Sequence, residues 1–137
     1  PCWSQELKLL VNKQHPLAKK SSLSLDDLIG HYLISYDLQG PLGEDLAALI
    51  DGKPLQVGYR YKDEITLASI VLANPDVMAL ACQSWLLKAY TDEIRLLSID
   101  EAPKDFRQLY IVYRLSALQN SAVYEFLELA KELFKKQ

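Results

Sequence analysis

The sequence predicts an α/β fold: a doubly wound, mostly parallel sheet with helices on both faces. Two observations carry this expectation. Short apolar or β-branched runs alternate with amphipathic, capped helical patterns from one end of the chain to the other, the signature of strands joined by helical crossovers. One of those runs, VMALAC (Val77 to Cys82), is continuously apolar, as a strand covered on both faces must be.

The elements follow in order. LKLLV (Leu7 to Val11) reads as a buried strand that ends in Asn12, Lys13 and Gln14. Pro16 holds His15 extended, and Ser24 caps a short helix, Leu25 to Ile29, with Asp26 and Asp27 at its positive end and Gly30 as its stop. HYLISY (His31 to Tyr36) is a second buried strand, followed by the turn-prone DLQGPLG. A helix from about Gly43 to Ile50 shows Leu46, Leu49 and Ile50 on one face, and Asp51–Gly52 ends it. In Leu55 to Tyr61 the alternation places Leu55, Val57, Tyr59 and Tyr61 on one side of a half-exposed strand.

Asp63 caps a helix from Glu64 to about Ala73, stopped by Asn74 and Pro75. After VMALAC, Ser84 caps a brief helix with Trp85, Leu86 and Leu87, and Ile94 to Ile99 is a strand. EAPKD is a polar connector. LYIVYRL (Leu109 to Leu115) is the most β-biased run and is expected as a strand. Ser121 opens a final helix with a stripe of Val123, Phe126, Leu127, Ala130, Leu133 and Phe134, acidic residues early, and Lys135 and Lys136 late.

Composition narrows the function. The chain has 137 residues, 15 basic and 18 acidic side chains well mixed along it, and a net charge of -3, which gives no field for nucleic acid or a membrane surface. No apolar run approaches the roughly 18 residues that span a bilayer, and PCWSQE lacks the form of an export signal. A cytoplasmic location is expected. Cys2, in an apparently frayed terminus, and Cys82 have neither metal-ligand spacing nor a disulfide framework, so no metal and no cofactor are expected. The chain opens on Pro1 rather than methionine, which suggests a piece of something longer.

With these elements in place, the sequence resembles the effector-binding domain of LysR-type transcriptional regulators, which has a type 2 periplasmic-binding-protein-like fold. The likeness rests on LKLLV followed by His15-Pro16-Leu17-Ala18, on LSLDDLIGHYLI, on the Glu64 helix leading into VMALAC, on EIRLLSI and LYIVYR, and on the closing helix with Phe126. It covers nearly the whole chain, and its force lies in the order and spacing of pieces that are individually unspecific.

The resemblance implies that residues 1–103 are the second subdomain of that domain and 104–137 a returning strand and helix of the first. Most of the first subdomain and the DNA-binding helix-turn-helix would then lie outside the chain. It implies a small-molecule inducer in a cleft, homo-oligomers, and contact with DNA only through that outside N-terminal domain. On this chain the ligand wall maps to Ser35, Tyr36, Asp37, Leu38, Glu64, Ile65, Thr66 and Cys82. The family's Gly-x-Gly-like turn before the VMALAC strand is replaced by Asn74, Pro75 and Asp76, which puts close approach of a ligand to that backbone in doubt.

The same loops are where ligands bind in doubly wound sheets, outside the carboxyl ends of the strands. A helix start also offers amide donors to an anion, although Asp37 and Glu64 would repel one. Bland readings stand beside these. His15 next to Pro16 reads as a turn residue rather than a base, His31 as packing or surface, and Cys82 as a small buried thiol rather than a nucleophile. Tyr59, Tyr61, Tyr110 and Tyr113 read as packing rather than a stacking platform for nucleic acid, and Lys19 and Lys20 as a solvated pair. No catalytic residue is expected. The competing readings are a small cytoplasmic α/β enzyme using Cys82, His15 or the Asp37 and Glu64 carboxylates, and a fragment of a solute-binding protein.

Overall fold

The computed structural model describes residues 1–135. Its strands are β1 (Trp3–Gln5), β2 (Leu7–Asn12), β3 (Ser22–Leu23), β4 (Tyr32–Tyr36), β5 (Val57–Tyr61), β6 (Val77–Cys82), β7 (Ile94–Ile99) and β8 (Arg107–Leu109). Its helices are α1 (Pro41–Ile50), α2 (Glu64–Ala73) and α3 (Ser121–Phe134), with 3-10 turns at Pro16–Lys19, Leu25–Leu28, Trp85–Tyr90 and Leu115–Gln119. The chain divides into two units, Gln5–Arg107 and a smaller one made of Pro1–Ser4 with the segment from Gln108 onward.

The larger unit is built on a six-stranded sheet in the order β3-β7-β2-β6-β4-β5. The pairs β3·β7, β4·β6 and β4·β5 are parallel, whereas β2 runs antiparallel to both of its neighbours. The sheet is therefore mostly parallel, with one reversed strand at its heart. Every position of β2 and the last five of β6 are buried, which is why both read as unbroken apolar runs instead of alternating ones. Lys8, within β2, is accommodated because its ammonium donates to Ser98 Oγ at 2.7 Å and pairs with Glu6.

Parallel pairing fixes where function can sit. Because β4 lies parallel to β5 and to β6, the ends of all three strands, Tyr36, Tyr61 and Cys82, fall on one edge of the sheet. The helix α2 starts beyond that edge, after the two connecting residues Lys62 and Asp63, with the Asp63 carboxylate accepting the Thr66 N–H at 2.8 Å.

Three features of this unit depart from the sequence expectations. Tyr59 is 69% exposed even though period-two alternation puts it with Val57 and Tyr61. Leu33 faces Val57 while Ser35 faces Arg60, so β5 carries one extra residue there, and this bulge breaks the alternation. The Trp85–Tyr90 turn begins after Ser84 as expected, yet the Ser84 hydroxyl makes no capping bond. Helix α1 starts at Pro41 rather than Gly43, since the fixed φ of proline suits a first helical turn.

In the smaller unit, the expected Leu109–Leu115 strand is absent: only Leu109 belongs to β8, residues 110–114 have no regular structure, and Leu115 opens a 3-10 turn. The preference of such side chains for strands is a preference for pairing on a pleated surface, and among the described residues no further strand lies beside Tyr110–Tyr113 to supply it. Val112 is 90% exposed. Cys2 is not frayed: its amide and thiol both donate to the Leu109 carbonyl, at 2.8 and 3.2 Å, beside the β1·β8 ladder.

Helix α3 is capped by Asn120, whose side chain accepts the Ala122 and Val123 N–H groups, and no acidic residue lies in its first turn. Of the expected stripe, Leu127 and Ala130 are buried while Phe126 and Leu133 are exposed. Lys136 lies outside the described residues.

Candidate functional site

The carboxyl edge of β4 and β6 gathers four side chains from distant parts of the sequence. The Tyr36 ring closes β4 and is almost wholly buried, and its hydroxyl oxygen accepts the Cys82 N–H at 2.9 Å. Glu64, in the first turn of α2, accepts from Arg107 Nη1 at 2.6 Å. A carboxylate can be buried in this way only with a cation against it.

The electrostatics follow from burial. Burial first, then the adjacent Cys82 thiol and Glu64 carboxylate, hold the Tyr36 phenol far above its ordinary titration range. Burial likewise pushes the Cys82 thiol up to about 11, partly offset by the positive charge of Arg107. Both groups are therefore protonated at neutral pH. A buried, protonated thiol is the reverse of an activated nucleophile, which needs its thiolate.

The expected site residues fare differently. Tyr36, Glu64 and Cys82 come together as described. Ser35 is fully buried and turns its hydroxyl to the Tyr36 carbonyl at 3.1 Å. Asp37 is half-buried and accepts the Gln39 N–H at 3.3 Å, and Leu38 packs on the core. Ile65 is exposed and Thr66 half-buried, and the Thr66 hydroxyl and amide are both taken by Asp63. Asp37 also lines a shallow cavity of about 210 Å³ with Tyr36, Gln39, Leu42, Tyr61 and Lys62.

The α2 start is not the open anion seat that a helix terminus can be. The Asp63 carboxylate is held below its usual range by the Thr66 amide and hydroxyl, with the Ile65 amide contributing. The Ile65 and Thr66 amides, which an external anion would use, are thus already engaged by the chain itself.

Arg107 was not singled out by the sequence. Its only signal is indirect: an acid expected in the first turn of a buried helix requires a cation, and Arg107 follows the polar connector leading out of the last sheet strand. His15 takes the bland role. Its Nδ1 accepts the Leu17 N–H at 3.1 Å to cap the Pro16–Lys19 turn, and its ring packs 5.2 Å from that of His31. Among the described residues no group of three His, Cys, Asp or Glu side chains is placed to hold a metal, and no helix is long and apolar enough to cross a membrane.

Comparison with known proteins gives this edge a context. The chain has a TM-score of 0.70 and 22% identity to the effector-binding domain of QuiR in complex with shikimate, covering 100% of this chain and 65% of that one. To the CcmR regulatory domain of Synechocystis PCC6803 in complex with 2-PG it scores 0.68 at 18% identity, covering 98% and 65%. To the regulatory domain of MetR, a LysR family regulator from N. meningitidis, it scores 0.61 at 20% identity, covering 96% and 61%.

The chain thus spans just under two thirds of these neighbours, and at such identities the likeness establishes a shared fold, periplasmic-binding-protein-like α/β. No sequence in a search of curated proteins matches. The family model described as LysR substrate binding domain matches residues 1–135. The chain belongs to the LysR substrate binding domain family.

Proposed function

We propose that this chain is part of the effector-sensing domain of a LysR-type transcriptional regulator, with Gln5–Arg107 as its second subdomain and the smaller unit as part of the first. The wall of the effector site on this chain is the carboxyl edge of β4 and β6 with the start of α2. The observation that carries this reading is the convergence of Tyr36, Glu64, Cys82 and Arg107 at that edge, where doubly wound sheets take their ligands. The bound effectors of QuiR and CcmR, shikimate and 2-PG, support a small organic metabolite as the inducer.

The effector acts by binding one arrangement of the regulator better than another, since a ligand shifts an equilibrium only by its differential affinity. DNA contact belongs to a segment outside this chain, the regulator works in the cytoplasm as a homo-oligomer, and the domain is not an enzyme. A protonated Cys82 and a His15 engaged in a helix cap leave neither group available for catalysis.

A thermal-shift screen of metabolites against the complete effector domain tests the reading. A true inducer raises the melting temperature by mass action, by about 2.7 kcal/mol of added stability at a hundredfold excess over its dissociation constant. Ligand-dependent melting with no product formed is the expected result. A turnover activity abolished by Cys82→Ala or His15→Ala would replace the sensor with an enzyme.

A further inference from the structure

Tyr36 and Tyr61 face each other at the ends of the parallel strands β4 and β5, and the next residues of the two chains are an acid, Asp37, and a base, Lys62. The Asp37 amide donates to the Tyr61 carbonyl at 2.9 Å, which keeps the two segments side by side as they leave the sheet. Both side chains line the cavity of about 210 Å³ whose other walls are Tyr36, Gln39, Leu42 and Tyr61, all within the larger unit. Asp37 is half-buried and Lys62 exposed, so a ligand can reach each of them. Among the described residues neither takes part in an ion pair.

Opposite charges on one small cavity select a ligand that carries both signs. A plain carboxylate would gain Lys62 and be repelled by Asp37, and a plain amine would meet the reverse, whereas a zwitterion gains from both residues. The two groups of the ligand must also lie close together, because Asp37 and Lys62 leave adjacent strands about 4.8 Å apart. The cavity falls below the roughly 300 Å³ at which ordinary ligand sites begin, so the ligand is small. Leu42 brings the first turn of α1 to the same cavity, and no side chain caps that helix start, which adds its positive end to the charge of Lys62 on the carboxylate side. The rings of Tyr36 and Tyr61 and the Leu42 side chain leave apolar wall for the rest of the molecule.

We propose that this cavity binds a small α-amino acid, with Asp37 taking its ammonium group and Lys62 its carboxylate. This rests on the sensor reading above and adds the chemical class of the effector.

The test uses the 137-residue chain and three probes on one carbon skeleton: L-leucine, isocaproate, which lacks the ammonium group, and isoamylamine, which lacks the carboxylate. Binding is followed by titration of backbone amide signals in NMR spectra of wild type, Asp37→Asn and Lys62→Gln. Asparagine keeps an oxygen for the Gln39 amide that Asp37 accepts, and Lys62 is exposed, so both variants should fold.

The expected result is that L-leucine moves the signals of Asp37, Gln39, Leu42 and Lys62 and binds about fivefold or more tighter than either analogue, the upper range for one partly solvated ion pair. Asp37→Asn should weaken L-leucine about fivefold and leave isocaproate level or tighter, and Lys62→Gln should do the same with isoamylamine as the indifferent probe. A merely structural role for either residue would weaken all three probes alike. That outcome overturns the proposal, as does equal binding of a one-charge analogue, an unchanged L-leucine affinity in either variant, or no movement of the cavity signals by L-leucine. Each of these leaves the sensor reading standing, which falls only with the metabolite screen.

Discussion

Arg107 Nη1 stands 2.6 Å from Glu64 Oε1, an ion pair that joins the first turn of α2 to the start of β8 across 43 positions of sequence. The two ends are unequally wet: the Glu64 side chain is 11% exposed and that of Arg107 34%. Removing the cation leaves a carboxylate with little access to water, and removing both leaves nothing uncompensated. Arg107→Met should therefore destabilise the chain by about 2 kcal/mol, less than a fully buried pair would lose because Arg107 is partly solvated. Adding Glu64→Gln to it should recover part of that loss. Urea-unfolding midpoints of the two single variants and the double variant measure the coupling; additive effects would mean the pair contributes nothing as a unit.

The hydroxyl of Tyr36 is the acceptor for the buried Cys82 amide, 2.9 Å away. Tyr36→Phe keeps the ring and strands that N–H without a partner, which costs about 1–2 kcal/mol. The change should appear in the unfolding midpoint and as faster hydrogen exchange of the Cys82 amide, with exchange in the middle of β2 little altered. An unaltered Cys82 exchange rate would place the acceptor elsewhere.

His15 makes the fold sensitive to mild acid. Burial, then the neighbouring His31, lower its titration below the ordinary imidazole value of 6.5, with Asp76 acting weakly in the opposite direction. The folded state thus favours neutral His15, whose Nδ1 must keep its lone pair to accept from Leu17. Stability from this group is fully present above the unfolded value and is lost as pH falls below it toward the lowered folded value. The melting temperature of the wild type should drop between about pH 7 and pH 5 more steeply than that of His15→Asn, which retains a capping oxygen but cannot titrate. Parallel curves for the two proteins would remove His15 as the cause.

The sequence made most of the larger unit legible and little of the smaller one. β2, β4, β6, β7 and α2 lie within a residue or so of expectation because each is specified locally: a continuous apolar run gives a strand covered on both sides, and Asp63 supplies a cap whose side chain does bond Thr66. Leu109–Leu115 failed because strand formation depends on a neighbour, and no propensity supplies one. β5 lay in the right place with the wrong facing, since a one-residue bulge leaves no trace in an apolar pattern. The rule that ligands lie beyond strand ends pointed to the loops after Tyr36 and Cys82 and to the start of α2, and the structure brings those strand ends to one edge of the sheet. Arg107 escaped because its significance lies in a partner, Glu64, that the tertiary fold sets against it.

Gly43 shows how closely the loop beside the site is packed. A side-chain carbon placed on it would collide with the Leu38 carbonyl carbon and sit 2.6 Å from its oxygen, backbone atoms that cannot swing aside as a side chain can. Gly43 is also buried in α1, so the requirement comes from space rather than from backbone conformation: only the glycines at 30, 40 and 52 have positive φ. Gly43→Ala must push the Leu38 segment away from α1, an overpacking cost of about 3 kcal/mol. That segment carries Asp37 and Gln39, which line the cavity with Tyr36 and Tyr61. The variant should therefore lose both stability and affinity for whatever inducer the metabolite screen identifies. Gly52→Ala, an exposed site with open space around it, should lose only the roughly 1 kcal/mol of a strained positive φ and leave affinity intact. Equal affinities in the two variants would show that the Leu38 loop takes no part in holding the ligand.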